Sequence, residues 1–103
     1  MITRQQVASE LTSLIEKMSS PLPDSEVRKG WSDEQVNFWK KFFIEMMSDL
    51  EYKVPVKSKY TGLVRGLDSN GILDGELFDQ VVKISCQMDD LRKHEKKAWQ
   101  IWK

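Results

Sequence analysis

Apolar residues recur at helical spacing from the start of the chain. Thr3 and Gln6 form a T-x-x-Q capping box, in which each side chain can bond the backbone N–H of the other residue. Ile2 precedes the box and can pack on Val7 as a hydrophobic staple. The run ends at the Ser-Ser-Pro-Leu-Pro stretch over 19–23, because proline disfavours helix in the residue before it. The pattern predicts a first helix of about four turns.

The second apolar run is the best-marked element of the chain. Ser32 and Gln35 repeat the capping box, with Trp31 and Val36 as the staple pair. The apolar residues that follow cover an arc of roughly 180°, wider than the stripe of an ordinary surface helix. They are Val36, Phe38, Trp39, Phe42, Phe43, Met46, Met47 and Leu50. We therefore predict a central, aromatic-rich helix over 32–52.

A weaker helix is predicted after the Tyr-Lys-Val-Pro break at 52–55. Apolar periodicity resumes over 58–67, although each of Gly62 and Gly66 costs about 1 kcal/mol against alanine in a helix interior. Two glycines four residues apart leave a flat strip that another helix could approach closely. The sequence Asp-Ser-Asn-Gly over 68–71 predicts a turn.

The last predicted helix begins near Asp74, which is expected to act as its N-cap, with Leu73 and Phe78 as a staple pair. Apolar positions then alternate at spacings of three and four residues, with Glu95 interrupting the series. No proline or glycine follows Gly75. We therefore predict a long C-terminal helix over 74–102 that packs along the central helix.

These elements predict an all-α fold, a compact single-domain bundle of about four helices over residues 1–103. A chain of this length buries roughly two thirds of the surface that its unfolded form exposes. No apolar run approaches the ~20 residues needed to cross a bilayer, and the polar start lacks the apolar core of a signal peptide. The expected location is the cytoplasm, with no membrane association.

Composition and chemistry argue against an enzyme. The chain has 16 basic and 16 acidic residues, so it has no net charge to attract nucleic acid. His94 is the single histidine and lies in a basic run, where a solvated helix face is expected. Cys86, the single cysteine, is expected to be reduced and partly buried, about 12 Å along the helix from His94. No catalytic set, metal site or cofactor site is predicted.

By elimination, the sequence favours stoichiometric binding of another protein. A small helical domain without a catalytic set has the general profile of bacterial inhibitor, antitoxin or toxin-immunity proteins. If the partner is a toxin or nuclease, carboxylates would face its basic cleft, and tryptophans would serve as apolar anchors. The candidate partner-binding residues all lie on the last helix: Glu76, Asp79, Asp89, Asp90, Trp99 and Trp102.

Two alternatives remain open from the sequence. A nucleic-acid-binding helical module would use the basic residues Lys93, Lys96 and Lys97, although the neutral chain makes nucleic acid an unfavoured partner. A homo-oligomeric structural or assembly subunit, such as a homodimer, would use the apolar seam of the last helix and the glycine strip of the third.

Overall fold

The protein is an all-α bundle in the computed structural model, which describes residues 2–52 and 55–101 and, from residue 96 onward, the backbone alone. The described ranges contain five α-helices, one short 3-10 turn at Ser58–Tyr60 and no strand. The helices are α1 (Arg4–Met18), α2 (Asp24–Arg28), α3 (Asp33–Glu51), α4 (Leu63–Ser69) and α5 (Glu76–Ile101). The predicted all-α fold is confirmed.

The first two predicted helix starts are confirmed. The Gln6 N–H donates to Thr3 Oγ1 at 3.2 Å, and the Thr3 N–H donates to Gln6 Oε1 at 2.9 Å, which completes the capping box of α1. At α3, the Gln35 N–H donates to Ser32 Oγ at 3.3 Å. The side-chain Oε1 of Gln35 accepts no hydrogen bond from a described group, so α3 has half of the predicted box.

The predicted start of the last helix is wrong in its details. Helix α5 begins at Glu76 rather than at Asp74. Asp74 does not cap the helix, and its carboxylate pairs instead with Lys29 Nζ at 3.3 Å. Leu73 is 62% exposed, so it forms no staple. The intervening Gly75 has a φ of +114°, a left-handed angle that turns the chain into the helix.

The packing order also differs from the prediction. Helix α1 runs antiparallel to α3 and α5 and lies against both, while α4 packs on α5. Helix α5 therefore packs along α1 and α4 rather than along α3. Glu95, which interrupts the apolar seam, accepts two hydrogen bonds of 2.7 Å from the Arg4 guanidinium. Arg4 also donates to the carbonyls of Asp49 and Leu50 at 3.3 Å each, which joins three helices at one end of the bundle.

The core draws on every helix except α2, and its aromatic residues come from α3, from the connection before α3 and from the 3-10 turn. Among the buried apolar residues are Val7, Leu11, Leu14, Met18, Trp31, Trp39, Phe43, Met46, Leu50, Tyr60, Leu63, Leu67, Ile72, Leu77, Val81, Ile84, Met88 and Leu91. The buried arc of α3 is narrower than predicted, because Phe38 is 58% exposed and Phe42 is partly buried. No helix in the described ranges combines the length and apolarity that a membrane span requires.

Trp39 explains the glycine at position 66 of α4. A Cβ atom at Gly66 would lie 2.7 Å from the Trp39 ring, so the absence of a side chain lets this ring lie against the backbone of α4. At Gly62 nothing lies within 4 Å of such an atom. The predicted glycine strip is therefore occupied at Gly66 by a tryptophan of the same chain and is open at Gly62.

Candidate functional site

A groove lies where the end of α1, the connection to α2 and the start of α5 meet. Its volume is about 430 Å³. We call it the corner groove, and it is lined by Glu16, Lys17, Ser20, Pro21, Leu22, Pro23, Glu26, Glu76 and Leu77. The lining therefore combines three carboxylates with the apolar surface of two prolines and two leucines.

Local sequence explains why this corner folds as it does. The two prolines of the 19–23 stretch prevent α1 from continuing. Pro23 then starts α2, and its carbonyl accepts from the Glu26 N–H at 3.0 Å and the Val27 N–H at 3.2 Å. Within this single helical turn, Glu26 is the buried residue, at 6% exposure, while Val27 is 47% exposed. The short helix thus directs one carboxylate toward the interior.

Glu26 caps α5 from a distant part of the chain. Its Oε1 accepts a hydrogen bond of 3.0 Å from the backbone N–H of Glu76, the first residue of the helix. A negative group at this position also interacts favourably with the positive end of the helix dipole. A Cβ atom at Gly75 would lie 2.9 Å from Glu26 Oε2, so the close approach requires glycine there.

The second oxygen of this carboxylate has no hydrogen-bond donor. Oε2 of Glu26 is buried and accepts from no group that the structure describes. The carboxylates of Glu16 and Glu76 belong to exposed residues at the same groove, and the Lys17 ammonium is directed to Gln80 Oε1 at 3.1 Å. The corner groove therefore offers acceptors for a cationic donor, and one of them is already removed from water.

The four acidic residues predicted as a binding site do not form one cluster. Glu76 lines the corner groove, whereas Asp79 and Asp90 lie farther along α5 and are exposed. Asp89 is half-buried and pairs with Lys93 at 3.0 Å. Glu76 and Asp90 are separated by about 21 Å along the helix axis. The geometry thus brings one predicted acid, Glu76, into the groove.

The two predicted tryptophan anchors fall outside the described side chains. Trp99 belongs to the backbone of α5, but its side chain is not described, and Trp102 lies outside the described residues. Glu16 and Glu26 were not predicted as site residues. No local pattern reveals them, because Glu26 meets α5 across 50 residues of sequence.

A second depression, the aromatic groove, lies between α3 and α4. It measures about 250 Å³ and is lined by Phe38, Trp39, Phe42, Lys59, Gly62, Leu63, Gly66, Ser69 and Asn70. Lys59 Nζ lies 5.6 Å from the centre of the Phe42 ring and donates to Glu45 Oε1 at 2.9 Å. Its charge is therefore balanced within the chain.

The charges beside the aromatic groove form a closed network, the paired cluster of Glu45, Asp49, Lys57, Lys59 and Tyr60. The Tyr60 hydroxyl donates to Asp49 Oδ2 at 2.5 Å, and Lys57 Nζ lies 3.0 Å from the same oxygen. The Tyr60 hydrogen bond holds the pKa of Asp49 below its usual range. Burial, followed by the bond to Asp49, raises the pKa of Tyr60. The hydrogen bonds and ion pairs of this cluster therefore join its own members.

Metal and redox chemistry find no support in the described part of the chain. No group of three or more His, Cys, Asp or Glu residues there could hold a metal ion. Cys86 is exposed on α5, which corrects the expectation that it is partly buried.

Comparisons with known proteins add no family to this description. The chain matches no protein-family model, no curated protein and no solved structure. The interpretation of the corner groove therefore depends on its own residues.

Proposed function

We propose that this protein is a stoichiometric protein-binding module whose corner groove receives a basic segment of its partner. The observation that carries this proposal is the combination of apolar lining residues with three carboxylates, one of which is buried with an oxygen that accepts from no described group. We further propose that the biological class is a small bacterial inhibitor or toxin-neutralising protein of the cytoplasm.

The chemistry of the groove supports a protein partner. Interfaces between proteins typically have an apolar centre and a polar rim. Here Pro21, Leu22 and Leu77 supply apolar surface, while Glu16 and Glu76 supply charged groups at the edge. A basic partner would be steered toward this surface and oriented on it by the complementary charge. The phosphate-binding cleft of a nuclease toxin is one surface with that charge.

The alternative functions have less support. Lys93, the described member of the proposed nucleic-acid surface, is paired with Asp89, whose hydrogen bond raises the pKa of the lysine. Homodimer formation through the glycine strip would compete with Trp39, which already occupies the strip at Gly66. We therefore favour binding of a different protein at the corner groove.

A charge-reversal experiment tests this function. The doubly substituted variant Glu16→Lys with Glu76→Lys removes two negative charges from the groove edge and adds two positive ones. The control variant, Glu51→Lys with Asp68→Lys, makes the same change in net charge at exposed residues outside the groove. Both variants should retain the helical circular-dichroism spectrum of the wild type.

The three proteins are then used as baits in a lysate of the native organism, and the captured proteins are quantified by mass spectrometry. We expect a partner that is held in near-stoichiometric amounts by the wild type and by the control, and that is lost from the groove variant. The proposal is wrong if no protein is captured near stoichiometry. It is equally wrong if every captured protein binds the groove variant as well as the wild type.

A further inference from the structure

We propose that Glu26 is the recognition residue of the corner groove, and that its Oε2 accepts a hydrogen bond from an arginine or lysine side chain of the partner protein. This inference rests on the proposed function and names the chemistry that the groove selects. It predicts a partner whose contact segment presents one long basic side chain between apolar neighbours.

The first argument is the state of the carboxylate. Only 6% of the Glu26 surface is exposed, yet one of its two carboxylate oxygens has no described hydrogen-bond donor. A buried acceptor without a donor is unfavourable, and the penalty is larger for a charged group than for a neutral one. A cationic donor that enters the groove would remove this penalty and form a charge-assisted hydrogen bond.

The second argument is that the neighbouring cations are engaged elsewhere. The Lys17 ammonium donates to Gln80 Oε1 at 3.1 Å. The Lys29 ammonium pairs with Asp74 at 3.3 Å. Neither forms an ion pair with Glu26 among the described contacts. No described cation of this chain therefore pairs with the buried carboxylate.

The third argument concerns access. A Cβ atom at Gly75 would lie 2.9 Å from both Glu26 Oε2 and Lys29 Cδ, so the flexible stem of Lys29 lies beside the buried oxygen. The ion pair that holds the head of Lys29 is solvent-exposed, and pairs of this kind are weak. The Lys29 side chain can therefore change its position at little energetic cost, without a change in the backbone.

The fourth argument is the match between the groove and a basic side chain. Arginine and lysine carry apolar stems that favour apolar surface, and here Leu22, Pro21 and Leu77 provide it. The head group would lie among the carboxylates of Glu16, Glu26 and Glu76. Arginine fits best, because its planar fork of donors can bond two acceptors at once.

A titration followed by amide NMR tests the inference. The probe is the blocked tripeptide acetyl-Leu-Arg-Leu-amide, with the same peptide containing norleucine in place of arginine as the uncharged control. We expect the arginine peptide to shift the backbone resonances of Glu26, Glu76 and Leu77 in a saturable manner. The norleucine peptide should bind at least about tenfold more weakly, which is the effect of losing one hydrogen bond to a charged group.

Two variants make the test specific for the carboxylate. Glu26→Gln keeps an oxygen that can accept from the Glu76 N–H, and it should weaken binding of the arginine peptide by about tenfold or more. Asp68→Asn, at an exposed residue outside the groove, should leave the affinity unchanged. If Glu26→Gln does not give a folded spectrum, Glu16→Gln with Glu76→Gln tests the same groove and should also weaken binding.

Several results would overturn the inference. These are an absence of groove shifts at about 20 mM peptide, equal affinity for the norleucine peptide, and unchanged affinity in Glu26→Gln. Equal binding of butylguanidinium, a free guanidinium with an apolar stem, would replace the protein partner by a small cation.

Failure of this inference can be distinguished from failure of the proposed function. A lysate partner that is lost on charge reversal of Glu16 and Glu76 but binds Glu26→Gln normally would refute the role of Glu26 alone.

Discussion

Two carboxylates near opposite ends of α1 are held in different ways. Asp49 lies beside the aromatic groove, where it accepts a hydrogen bond from Tyr60 and pairs with Lys57. Glu26 lies in the corner groove, where one oxygen caps α5 and the other has no described donor. Glu26 is nevertheless the more deeply buried of the two residues.

The difference distinguishes a structural charge from one that is available for binding. The partners of Asp49 lie within 11 residues of it in sequence, so the paired cluster is complete as soon as the chain after α3 folds back. Glu26 meets its backbone partner across 50 residues and leaves an acceptor unused. We infer that the paired cluster stabilises the fold, whereas the corner groove retains capacity for a ligand.

The largest loss of stability is expected at Gly75, which lies next to Glu26. Gly75→Ala places a side chain at a φ of +114° and 2.9 Å from Glu26 Oε2, so it combines backbone strain with a clash. We expect the free energy of unfolding to fall by at least about 2 kcal/mol, measured by urea denaturation. Gly71→Ala is the matched control, since its φ is also positive, at +82°, but nothing lies within 4 Å of its Cβ position. Equal losses in both variants would show that the approach of Glu26 is unimportant.

A smaller loss of stability is expected in the paired cluster. Asp49→Asn removes the charge that Tyr60 and Lys57 bond. The free energy of unfolding should fall by about 1 to 2 kcal/mol, with the partial exposure of the pair limiting the effect. Asp68→Asn should leave the urea midpoint unchanged. A neutral result at Asp49 would mean that this cluster is not structural.

The paired cluster also predicts how stability depends on pH. Hydrogen bonds from Tyr60 and Lys59 lower the pKa values of Asp49 and Glu45 in the folded state. The unfolded chain therefore binds more protons near pH 4, and this contribution to stability is lost as the pH falls through the lowered pKa values. Tyr60→Phe should make the acid-induced loss, followed by urea midpoints between pH 3 and 7, less steep. An unchanged slope would contradict the assignment.

The smallest change in stability is expected for Glu26→Gln, although this substitution should have the largest effect on binding. Glu26→Gln weakens the cap of α5 but also removes a buried charge that lacks a full set of partners, and these two effects oppose each other. We expect the free energy of unfolding to stay within about 1 kcal/mol of the wild type. A loss as large as that of Asp49→Asn would place Glu26 among the structural charges.

The sequence predicted those features that depend on neighbouring residues. The caps at Thr3 and Ser32 and the helices that follow them are confirmed, since capping acts within one turn. The helical fold class follows from the same local periodicity. The packing of α5 along α1 and α4 could not be read in this way, because a heptad pattern defines an apolar face but not its partner.

Most residues of the candidate site could not be predicted from the sequence, for a related reason. Glu76 was predicted as a binding residue from charge alone, and it does line the corner groove. The prediction that Asp74 caps α5 failed because a buried glutamate from α2 competes for the same backbone N–H. That competition requires the folded arrangement of α2 against Gly75, which no local rule contains.

Calorimetric melting with and without acetyl-Leu-Arg-Leu-amide tests the contrast between the two carboxylates most directly. At ten times its dissociation constant, the peptide should raise the melting temperature of the wild type by roughly 5 °C, because it binds the folded state. Asp49→Asn should melt several degrees below the wild type and keep this peptide-induced rise. Glu26→Gln should melt close to the wild type and lose the rise. The account is contradicted if Glu26→Gln keeps the full rise or if Asp49→Asn loses it.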